Sequence, residues 1–220
     1  MGYNNILIQL KQVMFGYSVE RPVLQKLDFA LHEGERVALL GANGSGKTTL
    51  FHLIMGLLIP DSGTLNIFGK ERRERKDFDE VRRRIGLLFQ DSDDQLFSPT
   101  VAEDIAFGPF NLGKSREEVL ETVQETLALL GLEGFEDRVT HKLSGGEKRL
   151  VALGTVLAMR PDILLLDEPV IGLDEEHRSR FISILKESAL SYIIISHDRD
   201  FLKEVTELRY RLCAGALDRA

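Results

Sequence analysis

Two periodicities organise this chain. Short apolar runs at residues 36–40, 85–89, 163–166 and 192–195 read as buried strands. Between them lie stretches with helical spacing. Val119, Val123, Leu127 and Leu130 fall on one face of a helix. Ser115-Arg116-Glu117-Glu118 opens it with capping-box spacing, and Gly131 suits its end. Thr100-Val101-Ala102-Glu103 has the same opening. Further helices are expected over residues 49–55, 144–159 and 175–188, and from Asp200. Residues 6–14 and 23–31 alternate loosely, as short strands do, with Arg21-Pro22 read as a turn. A turn at residues 60–63 leads to a strand over 64–68, and a last strand is expected near 207–213. Residues 70–84 mix both signs of charge. Arg82-Arg83-Arg84 lies near Asp77, Asp79 and Glu80, so a solvated helix face is expected there rather than a basic patch. Strands alternating with helices predict an α/β chain with a mostly parallel sheet covered on both faces, and residues 91–131 as a mainly helical insert.

One junction in this pattern carries chemistry. Gly41-Ala42-Asn43-Gly44-Ser45-Gly46-Lys47-Thr48 fits the phosphate-cradling spacing G-x-x-x-x-G-K-[ST] at every fixed position. It lies between an expected strand and an expected helix that starts near Thr49. Backbone N–H groups of Asn43, Gly44, Ser45 and Gly46 can point at phosphate oxygens, and the helix dipole favours negative charge. Lys47 reaches the β- and γ-phosphates in such a loop, and Thr48 ligates Mg²⁺.

Composition narrows the setting. The chain has 220 residues, room for one domain or a domain with a small lobe. Its net charge of −7 argues against a general polyanion binder, so no nucleic-acid partner is expected. The single Cys213 excludes an internal disulfide and fits a reducing cytosol. No apolar run approaches the 18 residues needed to cross a bilayer, and no signal peptide is visible at the start. Met1-Gly2 does not read as a myristoylation site, because Ile6 stands where Ser or Thr is needed. Any membrane role must come through partners.

Two further segments bear on function. Ile163-Leu164-Leu165-Leu166-Asp167-Glu168 is a buried strand that delivers two carboxylates to its C-terminal end, where open α/β sheets bind ligands. Beside a phosphate loop, Asp167 would support Mg²⁺ and Glu168 would polarise an attacking water. Leu143-Ser144-Gly145-Gly146-Glu147 has capping-box spacing and is accounted for by a well-capped helix. It also suits a second anion site at a helix start, which makes sense if two copies face each other and each lends this site to the other's γ-phosphate.

Taken in order, these motifs resemble the nucleotide-binding subunit of an ATP-binding cassette (ABC) transporter, over nearly the whole length. The resemblance implies a phosphate-loop NTPase domain over residues 1–220: a RecA-like core, an N-terminal antiparallel β lobe and a helical lobe at about 91–159. It implies that Ser144, Gly145, Gly146 and Glu147 form the family signature, with Glu147 where Gln is more usual. Gln90 falls at the loop glutamine that senses Mg²⁺ and touches the membrane partner. Asp174 resembles the loop aspartate that communicates across the dimer, and His197 the switch histidine at the γ-phosphate. Tyr17 resembles the aromatic that stacks on adenine, and Thr49 completes the nucleotide contacts.

Residues 89–109 are more specific. Phe89-Gln90-Asp91-Ser92-Asp93-Asp94-Gln95-Leu96-Phe97 and Glu103-Asp104-Ile105-Ala106-Phe107-Gly108-Pro109 resemble the ATPases of energy-coupling factor importers of prokaryotes. Those take up cobalt, nickel, biotin and other vitamins. The resemblance implies ATP and Mg²⁺ as cofactors and catalysis by Glu168, His197, Gln90 and Lys47. It implies a second ATPase copy, identical or related, and two integral membrane partners: a coupling subunit and a substrate-binding subunit. The place of action is then the cytoplasmic face of a prokaryotic membrane, with cobalt or nickel the expected cargo and a vitamin the alternative. Many relatives of this kind continue well past the switch histidine, whereas this sequence ends at Ala220, so a nucleotide-free dimer held by such a tail is not expected. A soluble ABC-type ATPase acting on nucleic acid or ribosomes is the rival reading. It is disfavoured by the single cassette and the acidic charge. A small-molecule kinase would leave residues 143–147 and His197 without a role.

Overall fold

The computed structural model describes residues 5–18 and 20–220. Met1 and Gly2, on which the myristoylation question turned, lie outside them.

The chain opens with a hairpin, β1 (Ile6–Ser18) and β2 (Arg21–His32). Strand β3 (Arg36–Leu40) leads through the glycine loop into α1 (Lys47–Ile54). After β4 (Ser62–Ile67), β5 (Lys70–Arg72), α2 (Asp79–Arg84) and β6 (Ile85–Leu88) come three helices: α3 (Val101–Asn111), α4 (Arg116–Leu130) and α5 (Gly145–Leu157). The remainder is β7 (Ile163–Asp167), α6 (Glu175–Glu187), β8 (Ser191–Ile195), α7 (Arg199–Val205) and the closing pair β9 (Leu208–Cys213) and β10 (Ala216–Arg219).

Two sheets form. Strands β2-β1-β4-β5 make an antiparallel sheet, and β10-β9-β3-β8-β7-β6 a six-stranded one. In the second, β9, β3, β8, β7 and β6 run parallel, and β10 folds back along the β9 edge. Its central strands are apolar on both faces, as a doubly covered parallel sheet requires. Ile163 and Leu165 of β7 join the core shared with the antiparallel sheet and α1. Leu164 and Leu166 join the core under the helices. The same alternation splits Val37 and Leu39 from Ala38, and Ile193 and Ile195 from Tyr192 and Ile194. The sheet is therefore a wall between two apolar cores. On the helical side Gly86 lets α5 come close: a Cβ there would lie 2.1 Å from Val156 Cγ1.

The expected capping boxes are present. Thr100, Ser115 and Ser144 each accept from the backbone N–H three residues on, and Glu103, Glu118 and Glu147 reach back. Gly131 ends α4 in the left-handed conformation, φ 69°.

Two local expectations need correction. Arg21-Pro22 is not a turn. It begins β2, paired with Ser18 and Gly16, because the proline sits where an edge strand loses no ladder bond. Residues 70–84 are not one exposed helix: β5 and a 3₁₀ turn (Arg75–Phe78) precede α2. Arg72 is buried, donating to the Ile67 and Asp77 carbonyls and pairing with Glu80 at 3.0 Å. Phe97 and Phe107, in the segment after Gln90, lie on the surface. They are 66 % and 51 % exposed and packed edge to face at 4.8 Å, while neighbouring Leu96 is buried.

Candidate nucleotide site

The phosphate loop joins β3 to α1 at the C-terminal end of the parallel strands. Its glycines are structural necessities. Gly46 has φ +104°, and a Cβ there would meet Val23 Cγ1 at 2.6 Å. The loop curls around the Lys47 ammonium, which is buried and donates to the Gly41 and Ala42 carbonyls at 2.9 Å each. Burial pulls the Lys47 pKa down, and the carboxylates of Asp167 and Glu168 pull it back up. Ser45 Oγ is buried and has no hydrogen-bond partner among the described residues. A buried orphan hydroxyl beside a buried ammonium is what an anion's oxygens would satisfy.

Strand β7 carries the two acids to the same place. Asp167 Oδ2 accepts from Thr48 Oγ1 at 2.7 Å. That hydroxyl and carboxylate are hard oxygen donors, and Mg²⁺ is commonly held by one or two such groups together with substrate phosphates. The donor set fits a nucleotide-borne Mg²⁺. Among the described residues no cluster of three or more His, Cys, Asp or Glu could hold a metal unaided.

Glu168 follows in an unusual backbone. Its φ is +47°, the left-handed region that costs a non-glycine residue of order 1–3 kcal/mol. It is held there from both ends: its N–H donates to the Ile195 carbonyl at 2.8 Å, and its own carbonyl accepts from Arg149 at 2.7 Å. The bend turns the side chain toward His197. The His197 N–H donates to Glu168 Oε2 at 3.3 Å, and His197 Nε2 lies 3.5 Å from Glu168 Oε1 and 2.8 Å from Asn43 Oδ1.

Tyr17, Asn43, Gly44, Gly46, Lys47, Thr48, Thr49, Gln90, Asp167, Glu168 and His197 thus line one cleft of about 540 Å³. Tyr17 is 64 % exposed at its rim, tied to Thr49 by a 3.1 Å bond between hydroxyls.

The segment from Ser144 to Glu147 is elsewhere. Within one chain it does not reach the phosphate cleft. Gly145 lines a smaller hollow of about 300 Å³ on the other side of Gln90. Ser144 Oγ accepts from the Glu147 N–H at 3.2 Å, and Glu147 Oε2 accepts from the Ser144 N–H at 2.7 Å. That backbone bond holds the Glu147 carboxyl below the usual range. Asp174 caps α6 by accepting from His177 N–H at 2.9 Å, which likewise lowers its pKa, and pairs with His177 Nδ1 at 2.7 Å. The His177 ring then lies against Gly146, where a Cβ would be 2.8 Å from it.

Sequence reasoning missed two connecting residues. Gln95 accepts from the Phe89 N–H and donates to Ala152 O and Thr155 Oγ1, stitching the loop after β6 to α5. Arg149 of α5 is almost fully buried and donates to five carbonyls, those of Phe89, Gln90, Asp167, Glu168 and Pro169, at 2.6–3.0 Å. Burial pulls its pKa down to about 10, opposed by Asp167, Asp91 and Glu168. It remains a cation at neutral pH. Its signal was positional: Arg149 shares a helix face with the buried Ala152, Leu153 and Val156.

Several known proteins are similar to this chain. The ABC transporter family model matches residues 24–171. A putative ABC transporter ATP-binding protein of Nitratidesulfovibrio vulgaris is 52 % identical over 199 residues, covering 90 % of this chain and 73 % of that protein. The energy-coupling factor transporter ATP-binding protein EcfA of Methanothermobacter thermautotrophicus is 43 % identical over 215 residues, covering 96 % and 69 %. Among solved structures, cbiO1 of Clostridium perfringens, described as part of the ABC transporter complex cbiONQ, superposes with a TM-score of 0.87 at 34 % identity, covering 97 % and 87 %. A dimeric ATP-binding cassette bound to ADP and Pi in a post-hydrolysis state gives a TM-score of 0.87 at 27 % identity, covering 96 % and 97 %. The chain belongs to the ABC transporter family, among its ATP-hydrolysing subunits and on the branch that includes the energy-coupling factor ATPases.

Proposed function

We propose that this chain powers uptake of cobalt or nickel ions through an energy-coupling factor type importer, working as one of two ATPase subunits beneath integral membrane partners. The observation that supports the chemistry best is the convergence of Lys47, Thr48, Asp167, Glu168 and His197 on one cleft. The importer assignment rests on the likeness to EcfA over 96 % of the chain.

In this reading residues 1–220 act as one ATPase domain, and the helical lobe at about 91–159 carries the signature segment. Lys47 leaves the carbonyls of Gly41 and Ala42 to bind the β- and γ-phosphates, and the amides of Asn43, Gly44, Ser45 and Gly46 cradle them. Tyr17 stacks on adenine, and Thr49 borders the phosphates. Thr48, Asp167 and Gln90 would hold Mg²⁺, which would offset charge on the phosphate oxygens. Glu168 accepts a hydrogen bond from water and orients it in line with the γ-phosphate, while His197 contacts the γ-phosphate's oxygens. Positioning and electrostatic stabilisation supply the rate. Ser144, Gly145, Gly146 and Glu147 of the second copy, identical or related, close the other side, and Asp174 lies at the seam.

The exposed Phe97, Phe107 and Phe110 follow directly after the Gln90 loop. An apolar aromatic patch there suits a membrane subunit's cytoplasmic segment. Among the described residues no helix is long and apolar enough to cross a membrane, so attachment through partners at the cytoplasmic face is the reading that fits.

A pull-down of the tagged chain from detergent-solubilised membranes tests this. Recovery of a transmembrane coupling subunit and a small membrane substrate-binding protein is expected, and the latter's metal or vitamin binding identifies the cargo. Recovery of only soluble or ribosomal partners would overturn the transport role.

A further inference from the structure

Arg149 has no obvious reason to be an arginine. It lies inside α5, is buried, and among the described residues it forms no ion pair. A buried cation without a carboxylate partner is expensive. What offsets the cost is complete hydrogen bonding. A guanidinium has five N–H donors in a fixed fork, and here they meet five carbonyls.

Which carbonyls they are matters more. Nη1 takes Phe89 O and Gln90 O, at the end of β6 where the glutamine enters the cleft. Nη2 takes Asp167 O and Glu168 O, and Nε takes Pro169 O, at the end of β7 where both acids stand. Glu168 has the strained φ of +47°, and Arg149 holds the carbonyl on one side of that strain. A lysine ammonium has three donors and no planar fork, so it cannot hold both strand ends at once.

We infer that Arg149 is a positioning residue: by binding the carbonyls of Gln90 and Glu168 together it imposes the left-handed backbone that aims the Glu168 carboxylate, and it ties that aim to the helix that starts at Ser144. This rests on Glu168 orienting the water. The position of the signature helix is then read directly by the acid of the same chain. A helix displaced by dimer closure changes the set of Glu168 and Gln90 without any side chain of α5 touching the nucleotide.

The test uses the full chain with the charge-conserving variant Arg149→Lys and the neutral variant Arg149→Gln, each alone and combined with Glu168→Gln. ATP affinity and steady-state hydrolysis are measured at protein concentrations that populate the dimer. Turnover is expected to fall roughly 10- to 100-fold, the loss a misplacement of about 1 Å can cause. ATP Kd is expected to stay within about threefold, since Arg149 does not touch the phosphate loop. In the Glu168→Gln background the Arg149 substitutions should lower turnover no further, because they act through an acid already removed. An equal additional loss in that background would overturn the inference. So would unchanged turnover, or parallel loss of ATP binding and folding in both variants, which would make Arg149 a folding residue. Wild-type turnover in Glu168→Gln alone would instead remove Glu168 from its role, a distinct failure.

Discussion

The phosphate cleft and the signature segment are both built from a helix start, yet they are prepared for binding in opposite ways. At the phosphate loop the side chains aim inward and are left wanting. Lys47 is bound to carbonyls of its own loop, and Ser45 Oγ is buried with no partner among the described residues. At Ser144 each polar side chain accepts from the other residue's backbone N–H in a reciprocal cap, so the first-turn amides of Gly145 and Gly146 are left by helix geometry to face outward. In the proposed pairing of two copies, the first is a half of a site that recognises charge by itself. The second is a rigid, self-contained end that offers backbone donors to something arriving from outside. A stable single chain can thus carry both halves without closing on itself.

The contrast can be broken most severely at Glu168. Glu168→Gln should lower turnover by roughly 10²–10⁴-fold, the range of a lost general base. ATP binding should persist and a closed dimer accumulate, measured by hydrolysis assay and size-exclusion chromatography with ATP. Ser144→Arg attacks the other half. It should reduce cooperative hydrolysis by about 10²-fold, the loss expected when one partner of the composite site no longer fits. ATP binding by the monomer should be unaltered; retained cooperativity would refute a composite site.

A subtler break is Gly146→Ala. The new Cβ would press on the His177 ring and disturb its bond to Asp174. A cost of about 1–3 kcal/mol in thermal stability is expected for such overpacking. Dimer-dependent hydrolysis should fall while ATP binding does not, and a variant with unchanged melting and turnover would show that the ring yields freely.

The smallest effect is in acid. Because the folded Glu147 pKa lies below 4.5, its carboxylate stabilises the fold above that pH, and the contribution fades as pH falls from 4.5 through the folded value. The Ser144 amide resonance should report this titration, and Glu147→Gln should abolish it.

What was legible in the sequence was whatever depends on spacing along the chain. The loop from Gly41 to Thr48, the three capping boxes and the two-sided strands are local rules, and each was recoverable. Contacts between distant segments were not. Arg149 falls on the apolar face of its helix, but nothing near it in sequence reveals that residues 89–90 and 167–169 will surround it. β5 and β10 are short edge strands with charged residues, too weakly patterned to announce themselves. Pro22 mimics a turn because the ladder bond it lacks is invisible in one dimension. The clustering of Tyr17, Gln90 and His197 with the loop came only from the resemblance; no pattern of their own neighbours predicts it.

The wall-like sheet has a consequence for how substitutions would be felt. In β7, truncating Leu164 or Leu166 opens a void on the helical side, whereas truncating Leu165 opens one beneath α1 and the antiparallel sheet. Each Leu→Ala change costs about 2–5 kcal/mol, of similar size on either side. The damage is nevertheless delivered to different machinery. Adjacent residues of one five-residue strand therefore address separate layers, and a scan along it would alternate between loosening the layer under the phosphate loop and loosening the layer under the helices.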